Sequence, residues 1–102
     1  MSKYRRAARV DENQSEIVAM LRSAGFSVEL GHDDILVGYG GKTYWVEIKD
    51  PSKTLNKDGS WKAGALKDSQ LKLQREWKGS YLVATSFEQI VDHINGDNNG
   101  QI

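Results

Sequence analysis

The chain has 102 residues, no cysteine, and 14 basic against 14 acidic side chains, for a formal net charge of zero. That length suits one domain with one modest core. The lack of cysteine excludes disulfides and thiolate metal sites and fits a reducing cytoplasm. The balanced charge excludes a protein that holds nucleic acid by bulk charge alone.

No apolar run is long enough to cross a membrane, and residues 1–10 are basic and lack the apolar stretch of a signal peptide. The charges are unevenly spread. Lys3, Arg5, Arg6 and Arg9 open the chain, and Lys53, Lys57, Lys62, Lys67, Lys72, Arg75 and Lys78 crowd its third quarter. Acids gather at Asp11 and Glu12, at Asp33 and Asp34, and in the tail. A basic rim around an acidic pocket suits an enzyme acting on DNA; the plainer explanation of any one lysine is solvated surface.

Residues 1–10 form a basic arm that either lies along a phosphate backbone or frays. Residues 11–24 are expected to be a helix, with Asp11 as N-cap and Gln14 completing a capping box. Ile17, Met20, Leu21 and Ala24 make its buried stripe, and Gly25 ends it. Asn13 and Gln14 fall on that inward face and Glu16 at its edge, so Gln14 and Glu16 either reach a site at the helix start or serve as a cap and a surface charge. Residues 26–30 alternate as a strand, and Gly31-His32 turns.

Residues 34–49 are the centre of the chain. Two strand patterns flank Gly38-Tyr39-Gly40-Gly41. With side chains alternating faces, Glu47 and Lys49 point one way and Tyr44, Val46 and Ile48 the other. The hairpin carries Asp34, at the first strand's start, toward Glu47 and Lys49. An Asp and a Glu converging on one point make a hard oxygen site for Mg²⁺ or Mn²⁺, and a lysine beside them can orient a water or hold negative charge. The bland alternative is an exposed Glu-x-Lys pair on an edge strand, worth little.

Asp50-Pro51 stops the strand. Residues 51–65 are a polar loop in which Lys53, Lys57 and Lys62 surround Trp61. It serves either as a flap over a DNA backbone or as the means by which Trp61 packs into the core or a partner subunit. Residues 67–78 are expected to be a second long helix, started by Asp68 or Ser69 and closed by Gly79. Leu66, Leu73 and Trp77 share a face with Gln70 in its middle, and an inward Gln needs a partner, in a site or on the sheet backbone. Residues 81–85 read as a short, central apolar strand. Ser86 caps a last helix with Glu88 and Gln89 in its first turn and Phe87, Ile90, Val91 and Ile94 inward, ending at Asn95-Gly96. The chain thus divides into the arm, one domain over residues 11–95, and a loose polar tail over 96–102. Helix, three strands, helix, strand, helix is an α/β order with a mixed sheet.

Asp34, a gap of twelve residues, then Glu47-Ile48-Lys49 resembles the signature of the PD-(D/E)XK nuclease superfamily. The wider span over residues 11–94 looks like its small stand-alone VRR-NUC type from phages and bacteria. The family often has Pro before the first Asp; here Asp33 takes that place, so either Asp33 or Asp34 is the ligand. Asp34 is favoured because it directly precedes the apolar run Ile35-Leu36-Val37. The resemblance implies a restriction-endonuclease-like αβββαβ core and a metal-dependent DNA endonuclease. It implies that Asp34 and Glu47 hold Mg²⁺ or Mn²⁺ with the Ile48 backbone carbonyl, that Lys49 acts on the attacking water, and that Gln70 lines the site. Asp33 would assist or bind a second ion, and Gln14 or Glu16 would stand where related nucleases place a first-helix Glu. Arg5, Arg6, Arg9, Lys53, Lys57 and Lys62 would contact DNA.

The small core and the lack of a helix-turn-helix or zinc module favour recognition of branched DNA by shape. Four-way junction resolvases of this superfamily are homodimers, so a dimer using Trp45, Trp61 or Tyr39 is expected, in the cytoplasm of a bacterium or phage-infected host. The competing expectations are a non-catalytic DNA-binding module of the same fold and a nicking or restriction-type nuclease working with a partner.

Overall fold

Alternating apolar residues build the sheet, and the helices cover it according to which of their faces is apolar. The computed structural model of the chain describes residues 13–31 and 34–99. Its elements are α1 (Gln14–Ser23), β1 (Ser27–Leu30), β2 (Ile35–Tyr39), β3 (Lys42–Ile48), α2 (Pro51–Thr54), α3 (Asp68–Glu76), β4 (Tyr81–Ala84) and α4 (Phe87–Asp97). The fold is the expected α/β type, a four-stranded mixed sheet in the order β1-β2-β3-β4 with helices on its faces. β1, β2 and β3 form an antiparallel meander, and β4 lies parallel to β3. Among the described residues no helix is long and apolar enough to cross a membrane.

The β2–β3 hairpin closes on Gly40 and Gly41, with φ of +62° and +80°. Two consecutive positive φ angles match the twist of the flanking strands, and glycine adopts them without strain. On one face of the sheet, Val28, Ile35, Val37, Tyr44, Val46 and Ile48 are buried against Ile17, Val18 and Leu21 of α1 and Ile90 and Ile94 of α4.

The buried stripe of α1 differs from expectation. Met20 is 39% exposed and Ala24 is exposed, while Val18 is buried in their place; Gln14 is buried, as its inward position implied. Positions 14, 17, 18 and 21 follow the i, i+3, i+4, i+7 rule as well as the expected set does; the angle at which α1 crosses the sheet selects between them. The N-cap position is held by Asn13, whose side chain leaves the cap unmade and donates Nδ2 to the carbonyls of Lys49 and Thr85 at 3.2 Å each. Asp11, and with it Arg5, Arg6 and Arg9, lies outside the described residues.

β4 is an edge strand, where its composition suggested a central one. α3 returns the chain parallel to β3, and among the described residues no further strand pairs with β4. Its apolar character comes from cover on both faces, by α3 on one and α4 on the other. α3 begins at Lys67 as N-cap, one residue before the expected Asp68 or Ser69. Ser86 caps α4 as expected, its Oγ accepting from the Gln89 backbone N–H at 3.2 Å.

α4 runs past Asn95-Gly96 to Asp97. Asp97 and Asn98, expected to begin a loose tail, are tied to β3. The Asp97 carboxylate accepts from the Tyr44 hydroxyl at 2.6 Å and from Lys42 Nζ at 3.2 Å, and Asn98 Nδ2 donates to the Tyr44 Oη at 3.1 Å. These donors hold the Asp97 carboxyl below the usual range, Tyr44 contributing most. Burial, and then Asp97, push the Tyr44 phenol up. A depressed folded-state carboxyl stabilises the fold above its ordinary pKa and loses that contribution as pH falls through the folded value; the raised phenol loses its contribution as pH rises past about 10. Thermal melts of Asp97→Asn should therefore show a shallower loss of stability on the acid side than the parent chain. The difference should be small in salt, because this pair is largely exposed. Parallel acid profiles would remove Asp97 from the account.

Candidate functional site

The β2–β3 register pairs Ile35 with Val46, and one further step along the same ladder sets Asp34 opposite Glu47. Opposed residues have Cβ atoms about 4.5–5.5 Å apart. Both lie on the face shared with Trp45, away from the core face of Tyr44, Val46 and Ile48. Lys49 follows the last residue of β3, but its backbone N–H still bonds the Ala84 carbonyl at 2.9 Å, so the alternation continues through it. The register thereby sets Asp34, Glu47 and Lys49 at one end of the two central strands.

Glu47 is only 8% exposed. A carboxylate so removed from water is stable only among hydrogen-bond donors or a cation. Asp34 is half-buried and held from two sides. Its Oδ2 accepts from Trp45 Nε1 at 2.6 Å, and its backbone carbonyl accepts from the Gly31 N–H at 2.7 Å. A Cβ on Gly31 would collide with Asp34 Oδ1, so glycine there makes room for the carboxylate.

Trp45, one of the three residues considered for a dimer contact, is half-buried, its ring set edge-on to Trp77 at 5.0 Å and to Tyr81 at 5.3 Å. Tyr39, the second of those candidates, packs half-buried on Phe26 at 5.0 Å between ring centroids. The signal for Trp45's role was its parity with Glu47 and Lys49: an indole N–H on that face needs an acceptor, and Asp34 is the carboxylate one strand away.

The same Trp45–Trp77 contact orients α3. Trp77 ends α3 beside the early part of β3, and the crossover makes α3 antiparallel to the strands it joins. Gln70, seven residues earlier and about 10 Å back along the axis, therefore lies over the end of β3 that carries Glu47 and Lys49. It is 6% exposed, and its Oε1 accepts from the Lys67 backbone N–H at 3.0 Å. Its oxygen caps the helix, not the sheet, so the group it can offer a ligand is its NH₂. Gln14 is 7% exposed, and its Oε1 meets no hydrogen-bond donor among the described residues. It opens the helix that Asn13 docks on Lys49. Glu16 is exposed. Asp33 and His32 lie outside the described residues.

The donor set fits a small hard cation. Mg²⁺ is usually held by one or two carboxylates and keeps several waters for substrate oxygens to replace. Among the described residues no group of three or more Asp, Glu, His or Cys converges, so Asp34 and Glu47 are the charged donors available. Trp45 and Lys49 turn their backbone N–H groups toward β4. Alternation then turns the Ile48 carbonyl toward β2, the side of Asp34.

Comparison with known protein families, curated proteins and solved structures finds no match.

Residues 51–65 are more built than a plain loop. Pro51–Thr54 is a helical turn capped by the Asp50 carboxylate, which accepts from the Ser52 backbone N–H at 2.9 Å. Leu55 bridges to Trp61, Lys62 N–H donates to the Thr54 carbonyl at 2.8 Å, and Asn56 N–H donates to the Ser60 carbonyl at 2.8 Å. The stretch is a small hairpin on which Lys57 and Lys62 are exposed and Trp61 is 36% exposed. Lys53 stands on α2, also exposed.

Since Trp45 supports Asp34 by one hydrogen bond, Trp45→Phe leaves a smaller aromatic ring between Trp77 and Tyr81 and removes the donor. Partners that orient a metal ligand typically change metal affinity by about 10- to 100-fold. Mn²⁺ titration followed by electron paramagnetic resonance should show a loss of that order with the melting temperature nearly kept. Unchanged Mn²⁺ affinity would restrict Trp45 to packing.

Proposed function

We propose that the chain is a metal-dependent DNA endonuclease that hydrolyses one phosphodiester in line, acting on branched DNA. The observation that carries this is the opposition of Asp34 and Glu47 on the two central strands, with Lys49 on the same face and Gln70 above. The resemblance to the PD-(D/E)XK superfamily in the spacing of Asp34 and Glu47-Ile48-Lys49 supports the same reading.

A Mg²⁺ or Mn²⁺ ion held by Asp34, Glu47 and the Ile48 carbonyl would polarise the scissile phosphate and lower the pKa of water. Lys49 carries three N–H donors and no acceptor when charged. It orients the attacking water and steadies the negative charge that grows on the phosphate oxygens. The Gln70 NH₂ helps hold that water, and Trp45 keeps Asp34 in place. Lys53, Lys57 and Lys62 lie along the DNA backbone. Two symmetric cuts in a four-way junction need two sites, and so a homodimer.

The test is cleavage of labelled linear duplex, flap and four-way junction DNA with Mg²⁺, Mn²⁺ or EDTA, by the parent chain and Glu47→Ala. Paired metal-dependent nicks in the junction, lost in Glu47→Ala, are expected. No cleavage of any substrate, with DNA binding unaffected by the substitution, would replace the nuclease with a non-catalytic binding module. Nicks on one strand only, or only with a partner protein, would replace the resolvase form.

A further inference from the structure

Among the described residues β4 is an edge strand, and its outer side is not flush with the surface. A groove of about 470 Å³ runs along it, walled by the 55–61 hairpin with Trp61, by Leu82 and Val83, and by Asp92 and His93 of α4. The groove is one strand from the candidate site, because Val83 pairs with Glu47 in the parallel register. Neighbouring strands lie about 4.8 Å apart. The ladder that turns Ser80 and Ala84 carbonyls toward β3 turns the peptide group of Val83 outward to the groove.

The charges around it are sorted. Exposed Lys57 and Lys62 stand on the hairpin that forms one wall, while the titratable groups within it are the Asp92 carboxylate and the His93 ring. A carboxylate inside repels a phosphate, and lysines outside attract one. An aromatic ring, an apolar floor and hydrogen-bonding groups at the wall match the flat, polar-edged shape of a nucleobase. A carboxylate accepts from exocyclic amines, as on cytosine.

We infer that this groove takes a single unpaired nucleobase, stacked on Trp61, so that the enzyme recognises DNA with a base out of the helix beside the scissile phosphate. A base seated there carries its own phosphates back over β4 toward Glu47 and Lys49. A peptide strand is the poorer occupant. β4 has four residues, and the outward Thr85 N–H is already taken by Gln89 Oε1 at 2.7 Å, so strand addition finds few backbone partners. The inference rests on the DNA-nuclease proposal and deepens it by naming the structural feature of the substrate.

The experiment uses the full chain, with Ca²⁺ in place of Mg²⁺ for binding and Mg²⁺ for cleavage. The probes are a blunt duplex, the same duplex with a short unpaired dC flap, and one with a dT flap, each fluorescein-labelled. The parent chain should bind the dC flap more tightly than the blunt duplex and the dT flap. Trp61→Ala should lose about 10-fold or more of the affinity for the flap, keep its blunt-duplex affinity and its melting temperature, and Trp61→Phe should restore the preference. Asp92→Asn should level dC with dT. Flap affinity and cleavage unchanged in Trp61→Ala would overturn the inference while leaving the nuclease standing. Metal-dependent cleavage absent in the parent chain, with the flap preference intact, would overturn the nuclease while leaving the groove. A parent chain that sediments as a dimer, with Trp61→Ala a monomer, would assign the groove to a second copy and overturn the inference.

Discussion

Replacing Lys49 with alanine is expected to lower single-turnover DNA cleavage by about 10²- to 10⁴-fold, the range for a group that handles a proton or positions the attacking water. Fold and DNA binding should survive. The backbone at Lys49 is held independently of its side chain, by its N–H on the Ala84 carbonyl at 2.9 Å and its carbonyl under Asn13 Nδ2 at 3.2 Å. The side chain is half-buried at the strand end, so truncation leaves no core cavity. Circular dichroism and a gel shift in Ca²⁺ would verify both points. Arginine at this position keeps the charge but spreads it over a planar fork with different reach, so Lys49→Arg should restore little activity. An alanine variant that cuts at the parent rate would take Lys49 out of the mechanism.

Ile35→Ala is expected to lower the unfolding free energy by about 2–5 kcal/mol, the usual result of emptying a filled core site of this size. Ile35 is 0% exposed and directly follows Asp34. It pairs with Val46 at the last step of register before Asp34 meets Glu47. Domains of this size have about 5–15 kcal/mol in all, so the variant should unfold at clearly lower urea concentration with a similar slope. Loosening this step should also weaken Mn²⁺ binding in the folded protein. A loss below about 1 kcal/mol, the scale of ordinary surface substitutions, would contradict the placement of Ile35 under the site.

Much of this was legible before folding. The period of two in residues 34–49 put Glu47 and Lys49 on one face and Tyr44, Val46 and Ile48 on the other, because alternation is a property of any extended backbone. Gly40 and Gly41 announced a tight hairpin, which leaves few ways to bring Asp34 anywhere but opposite Glu47. Ser86 declared the start of α4 through its own side chain. In each case the cause lies within a few residues of the effect.

The rest needed contacts between distant parts of the chain. The parity of Trp45 set its N–H on the face of Asp34, eleven residues away, but nothing local showed that Trp77 and Tyr81 would hold its ring. Met20 and Val18 satisfy the helical repeat equally, and only the crossing of α1 over the sheet chose Val18. Asp97 and Asn98 look like solvent-facing tail residues until Tyr44, more than fifty residues earlier, offers its hydroxyl. The apolar run of β4 suggested a central strand because burial on two faces and pairing on two edges leave the same composition. The sequence by itself determined the α/β order, the hairpin and the parity that gathers Asp34, Glu47 and Lys49. The tertiary structure decided what holds Asp34, where α3 sets Gln70, and that β4 keeps an open edge beside Glu47. Local periodicity follows from backbone geometry, whereas those three follow from which surfaces exclude water together, a choice made only when all elements pack at once.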